Sequence, residues 1–126
     1  MHNAIPLVLA ALVAVGIIII GCFYLVSPER MTGSFGLKPP APDVDTRAWL
    51  RLKGTRDVVS GLVLLAMMLT LDWRLVGIVL LVEAVIPFGD MSIILGSGGS
   101  KSQAFSIHGV TCAAMLVAGL LLIHAI

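Results

Sequence analysis

Residues 73–95 read WRLVGIVLLVEAVIPFGDMSIIL, and their reading decides the fold. As a helix rising about 1.5 Å per residue the stretch is about 34 Å long, enough for a hydrocarbon core of about 30 Å. It holds two carboxylates, Glu83 and Asp90, with Pro87 between them, and is apolar on almost every other position. Three further stretches share this character: about 4–26, 54–71 and 104–126. Little more than Asp72 separates the second from the third, so those two must form a tight hairpin. The Ser-Gly-Gly-Ser-Lys-Ser run at 97–102 reads as a flexible loop between the third and fourth.

The expected fold is therefore all-α: a polytopic, four-transmembrane-helix bundle forming one domain over 1–126. Composition agrees. Apolar residues make up 59% of the chain and charged residues 12%, against about half and about a quarter in soluble domains. The lipid bilayer is the expected partner. A net charge of +1 argues for neither a nucleic-acid partner nor a disordered tail. Cys22 and Cys112 lie in apolar runs, where a free thiol packs as a small hydrophobe. The first stretch lacks a basic leader and its apolar run is long for a signal peptide, so it reads as a retained helix.

The connection from Ser27 to Lys53 is the one sizeable segment outside the spans. Ser27 as a cap followed by Pro28 predicts a short interfacial helix between helices 1 and 2, with Met31 and Phe35 dipping into the interface. Lys-Pro-Pro-Ala-Pro at 38–42 predicts extended chain. Asp45 or Thr46 is expected to cap the next helix, which carries Arg47, Trp49 and Arg51 through the headgroup zone. Seven basic residues (Arg30, Lys38, Arg47, Arg51, Lys53, Arg56, Lys101) fall on the side of this connection, against Arg74 on the other. The positive-inside rule then makes the loop side cytoplasmic and places both termini, with His2 and His124, on the opposite face.

Depth picks out candidate functional residues. Fourteen uncharged residues separate Asp57 from Asp72, about 21 Å of helix, so Arg56 and Asp57 must lie within the membrane. Counted up from Trp73, Glu83 falls near the midplane at about 15 Å and Asp90 near the cytoplasmic surface at about 25 Å. His108 and Tyr24 share the level of Asp90. Glu83 and Asp90 are seven residues apart and so share a helix face, and Pro87 leaves the Glu83 carbonyl without its i+4 donor. Charged groups at membrane depth point inward, pair or neutralise. The expected site is thus an amphiphilic pocket between four helices. Glu83, Asp90, Asp57, His108 and Arg56 are its candidate catalytic residues, with Glu83 at the floor, and Tyr24, Ser60, Pro87 and Thr111 line it.

Blander readings exist for the same residues. Arg56 or Arg51 paired with Asp57 or Asp90 would be a structural tie, and Gly61, Gly77 and Gly119 are packing positions. Glu83, with no deep basic partner, is the hardest to reduce to structure. One histidine and scattered carboxylates make a poor metal site, so no metal and no cofactor is expected. "GSGGSKS" at 96–102 lacks the strand context and glycine spacing of a phosphate loop.

Taken together, "YLVSPER" at 24–30, Phe35-Gly36, "KGTRDVVSGL" at 53–62, "EAVIPFGD" at 83–90 and His108-Gly109 resemble the domain-of-unknown-function family numbered 4267. That family is loosely similar in architecture to DoxX-like proteins. The resemblance spans nearly the whole chain and implies a four-helix membrane fold without implying a reaction. From the residues, the expected function is intramembrane acid/base catalysis, of isomerase, cyclase or epoxide-opening type, on a small hydrophobic substrate entering from the cytoplasmic leaflet. A proton-coupled carrier using Glu83 and an accessory membrane subunit are the alternatives, and a second copy of the chain is a candidate partner. Phe23, Tyr24, Phe35, Phe88 and Phe105 all cluster near the cytoplasmic mouth and not beside Glu83, which favours the enzyme over a carrier of lipophilic cations.

Overall fold

In the computed structural model, which describes residues 4–124, every regular element is a helix. His2 and the last two residues of the fourth expected helix lie outside the described residues. The elements are α1 (Ala4–Val26), α2 (Pro28–Thr32), α3 (Val44–Met68), α4 (Trp73–Glu83), α5 (Val85–Gly96), α6 (Lys101–Gln103), a π-helical segment (Ala104–Gly109) and α7 (Val110–His124). Three helical runs are long and apolar enough to cross a membrane: Ala4–Val26, Trp73–Gly96 and Lys101–His124.

The second long helix departs most from expectation. It begins at Val44, well before the apolar run at 54, and ends at Met68 instead of Leu71. Its cap is Asp43, not Asp45 or Thr46: the Asp43 carboxylate accepts the Thr46 backbone N–H at 2.7 Å, satisfying a donor the first helical turn leaves free. At the other end Leu71 turns the chain with φ of 58°, and Asp72 caps α4 by accepting the Leu75 N–H at 3.0 Å. Ser27 makes no capping bond to α2, and its N–H donates to Phe23 in the ladder of α1. The Glu29–Arg47 ion pair ties α2 to the start of α3 instead.

The missing donor at Pro87 shows as a break of one residue between α4 and α5. Pro87 has no N–H for Glu83, and α4 ends there; Ala84 separates it from α5, whose first turn is held by the Phe88 N–H donating to the Ala84 carbonyl at 3.2 Å. The fourth run starts earlier than 104, at Lys101, where the Ser100 hydroxyl accepts the Gln103 N–H at 3.3 Å.

Helices α1 and α3 pack most extensively, as do α4 and α7, and α1–α7 and α3–α4 contacts close the ring. Small residues set both main interfaces. A Cβ on Gly54 would lie 2.7 Å from the Gly21 carbonyl oxygen, and one on Gly77 would lie 2.7 Å from that of Gly119. Backbones approach this closely only where side chains are missing, the usual device where lipid removes the hydrophobic drive for helix association. The core holds Ala10, Ala14, Leu64, Leu80, Met115 and Leu122, while Ile5, Val8, Leu12, Val82 and Val117 point outward. An exterior this apolar suits lipid.

Acid should loosen the start of α3 first. The Thr46 N–H holds the Asp43 carboxyl below the usual carboxylate range, and the Glu29 backbone N–H, aided by Arg47, lowers that of Glu29. Both folded values are depressed, so their stabilisation is complete above the unfolded value of about 4 and is lost as pH falls through the folded value. Amide exchange at residues 44–48 is expected to rise below about pH 4 in the native chain. Asp43→Asn, whose amide oxygen still accepts but does not titrate, should blunt the rise. Identical acid profiles for the two chains would assign the fraying elsewhere.

Candidate functional site

Four segments bring polar side chains to one place at the loop-side end of the bundle, and the connection after α2 adds Phe35. On α3, Lys53 and Asp57 are four residues apart and share a face; Lys53 Nζ lies 2.6 Å from Asp57 Oδ2, and Asp57 is 7% exposed. The same ammonium stands 4.5 Å from the ring centroid of Tyr24, on α1, and 5.2 Å from that of Phe35, in the connection after α2. Such cation–π contacts strengthen as the site loses water. Tyr24 is buried.

His108 supplies the other half. It lies in the π-helical segment, whose wider turn replaces α-helical geometry over Ala104–Gly109, a distortion frequent at functional sites. Its Nε2 is 3.1 Å from the Phe35 carbonyl oxygen, its Nδ1 is 3.5 Å from Asp90 Oδ2 on α5, and its ring meets Phe35 edge to face at 4.7 Å. A carbonyl can only accept, so Nε2 carries a hydrogen. A neutral imidazole would then aim a lone pair at Asp90. A second hydrogen, on Nδ1, would complete an ion pair with Asp90. Asp57 and Asp90 are near enough for their charges to act on each other, and both act on Tyr24.

Glu83 lies apart from this group. It ends α4 half-buried, within reach of the Ser60 hydroxyl on α3. Glu83 meets Ser60 on α3, and Asp90 meets His108 in the π-helical segment. Pro87 is buried at the break, where the Cys112 thiol also donates to the Ala84 carbonyl at 3.6 Å. The Thr111 hydroxyl donates back to its own helix, to the Ile107 carbonyl at 2.7 Å.

Arg56 does not join the cluster. It is exposed, since one residue along a helix turns the side chain by about 100° from Asp57. Arg51 reaches back to α1, donating Nε–H to the Leu25 carbonyl at 3.2 Å. The ion pair expected from an arginine is made by Lys53, one of the loop-side basic residues, and its i, i+4 spacing to Asp57 is the signal in the sequence. Phe35, expected in the interface, packs half-buried on His108, and no sequence signal marks its carbonyl as an acceptor.

Two hollows lie beside the connection, and neither is lined by Glu83 or by the cluster. One of about 680 Å³ is lined by Val44, Arg47, Arg51 and Leu52, the other of about 240 Å³ by Glu29, Pro39, Pro42 and Leu50. Lys53 bonds Asp57 and stands against the Tyr24 and Phe35 rings. Among the described residues no three His, Cys, Asp or Glu side chains converge as metal ligands.

A helical bundle with three membrane-length apolar helices and buried charges near one end defines a membrane protein with an internal polar site. The chain belongs to the family described as Domain of unknown function (DUF4267), whose profile matches residues 14–122. No curated protein and no solved structure matches it.

Proposed function

We propose that the chain is a four-span membrane protein that performs acid/base chemistry on a small lipophilic molecule. In this reading α3 is the fourth crossing, its charged first turns rising through the headgroup zone, and α2 lies in the interface. The seven basic residues on the loop side put that side in the cytoplasm and both termini across the membrane. The single observation that carries the reading is the juxtaposition of His108 and Asp90, 3.5 Å apart inside an apolar bundle and beside the Lys53–Asp57 pair and the Tyr24 phenol.

Such a pair can give its proton to an alkene or an epoxide oxygen and recover one from a neighbouring carbon or from water. Isomerisation, cyclisation and epoxide opening then need no cofactor, and the apolar walls keep a carbocation from water. Asp57, paired with Lys53, stands beside His108 and Asp90 as the second base of this scheme. Protein in nanodiscs incubated with lipophilic epoxides and polyenes is expected to form products, and Asp90→Asn should lower turnover by about 10²- to 10⁴-fold. Full turnover in Asp90→Asn would remove the mechanism.

A second reading, proton-coupled carriage, is favoured by Glu83 and Ser60, a carboxyl station on α3 and α4 separate from the cluster. In proteoliposomes it requires a pH gradient to drive substrate movement. Glu83→Gln would have to abolish that movement.

A further inference from the structure

We propose that residues 33–37 form a lid over the cluster, latched by the proton that His108 and Asp90 hold between them, and that losing this proton unlatches it. The lid is held at three points. The Phe35 carbonyl accepts from His108 Nε2 at 3.1 Å, the Phe35 ring lies under the Lys53 ammonium, and the Gly36 carbonyl accepts the Ser100 N–H at 2.8 Å. The fit is close: Gly36 has φ of +110°, and a Cβ on Gly99 would stand 2.5 Å from the Gly36 oxygen. The ammonium that the Phe35 ring meets also bonds Asp57 and stands against Tyr24, so moving the lid away uncovers the cluster.

The latch follows from counting hydrogens. His108 faces two acceptors, the Phe35 carbonyl and the Asp90 carboxylate. A protonated imidazole has an N–H for each, and a neutral one has a single N–H for both. The ionised carboxylate is the stronger acceptor, so a neutral ring places its hydrogen on Nδ1. Nε2 then turns a lone pair toward the Phe35 oxygen, and attraction becomes repulsion. The other charged and titratable groups facing this point are Tyr24 from α1, Lys53 and Asp57 from α3, and Asp90 from α5. Lys53 and Asp57 offset each other at 2.6 Å, leaving Asp90 as the counter-charge for His108.

Hydrogen exchange of the full chain in nanodiscs tests the latch, read at peptides covering 33–37 and at the Ser100 amide, with intrinsic rates corrected for pH. Protection is expected to fall about tenfold between about pH 6 and about pH 9, the loss of one net hydrogen bond across the histidine titration. In Asp90→Asn the new amide donates to Nδ1, so neutral His108 keeps its Nε2–H on Phe35 and protection should stay high at both pH values. His108→Phe should leave the lid unprotected at both. Flat protection in the native chain, or an Asp90→Asn profile that titrates like it, overturns the proposal, and Asp90→Asn decides the matter alone if His108→Phe does not fold. The latch stands on the geometry; its use as the substrate's entrance rests on the function proposed above. Because exchange is measured without substrate, failure of the latch and failure of turnover are separate results.

Discussion

Gly61→Leu is expected to prevent the bundle from forming, the largest effect of any single change in the helix interfaces. A Cβ at Gly61 would stand 2.5 Å from the Ala14 carbonyl oxygen and 2.5 Å from Ile18 Cγ1. The first of these is backbone and cannot rotate away, so α1 must move. Overpacking by a methyl or two costs about 1–3 kcal/mol where the surroundings can give. A leucine wedged at this point parts α1 from α3 along the interface that also holds Gly21 and Gly54. Against a total stability of about 5–15 kcal/mol, that loss is decisive in a bundle held by close packing. Gly61→Ala is expected to fold with a stability loss of about 2 kcal/mol. Gly16→Ala and Gly89→Ala, whose added Cβ would meet nothing within 4 Å, should match the native chain or exceed it by up to about 1 kcal/mol through helix propensity. Unfolding in mixed micelles, followed by circular dichroism, measures all four. A Gly61→Leu protein that unfolds like the native chain would mean that α1 and α3 do not meet here.

What the sequence reveals and what it hides divide along a physical line. Apolar run length places α1, the Trp73–Gly96 run and most of the last helix, because hydropathy sums over many residues and tolerates local detail. Helix ends depend on single hydrogen bonds. Asp43, Asp45 and Thr46 are all competent caps by type, and only the geometry shows Asp43 accepting from Thr46. The π-helical segment leaves no trace in AFSIHG, since a shift from one carbonyl to the next changes no side-chain pattern.

The site divides in the same way. Counting depth along helices gathers Tyr24, Asp57, Asp90 and His108 at one level, and the structure brings these four together. Depth gives level without azimuth, which is why Arg56 was grouped with Asp57 although it faces outward. Lys53 counts in the sequence only as one of the loop-side charges. Here the ammonium turns in to Asp57 and two aromatic rings. Glu83 keeps its separate position, now with Ser60 as its neighbour.

Lys53→Met is expected to destabilise the protein by about 3 kcal/mol, at the low end for one partner of a buried ion pair because Lys53 keeps some contact with water. Asp57 would be left buried without its counter-charge and with Asp90 nearby, so the variant must bind a proton or distort. Removing both charges should undo most of the damage. In Lys53→Met/Asp57→Leu neither ion is desolvated, and apolar replacements of buried ion pairs are often neutral or stabilising. Unfolding of the native chain, both single variants and the double variant forms the cycle that isolates the pair. A double variant no more stable than Lys53→Met would show that the cost lies in lost packing against Tyr24 and Phe35 instead of in an unpaired charge. The double variant also separates structure from chemistry. Once folded, it lacks Asp57 as a base while keeping His108 and Asp90. Undiminished turnover would reduce the Lys53–Asp57 pair to a tie within α3, whereas a stable but inactive bundle would place it among the reacting groups.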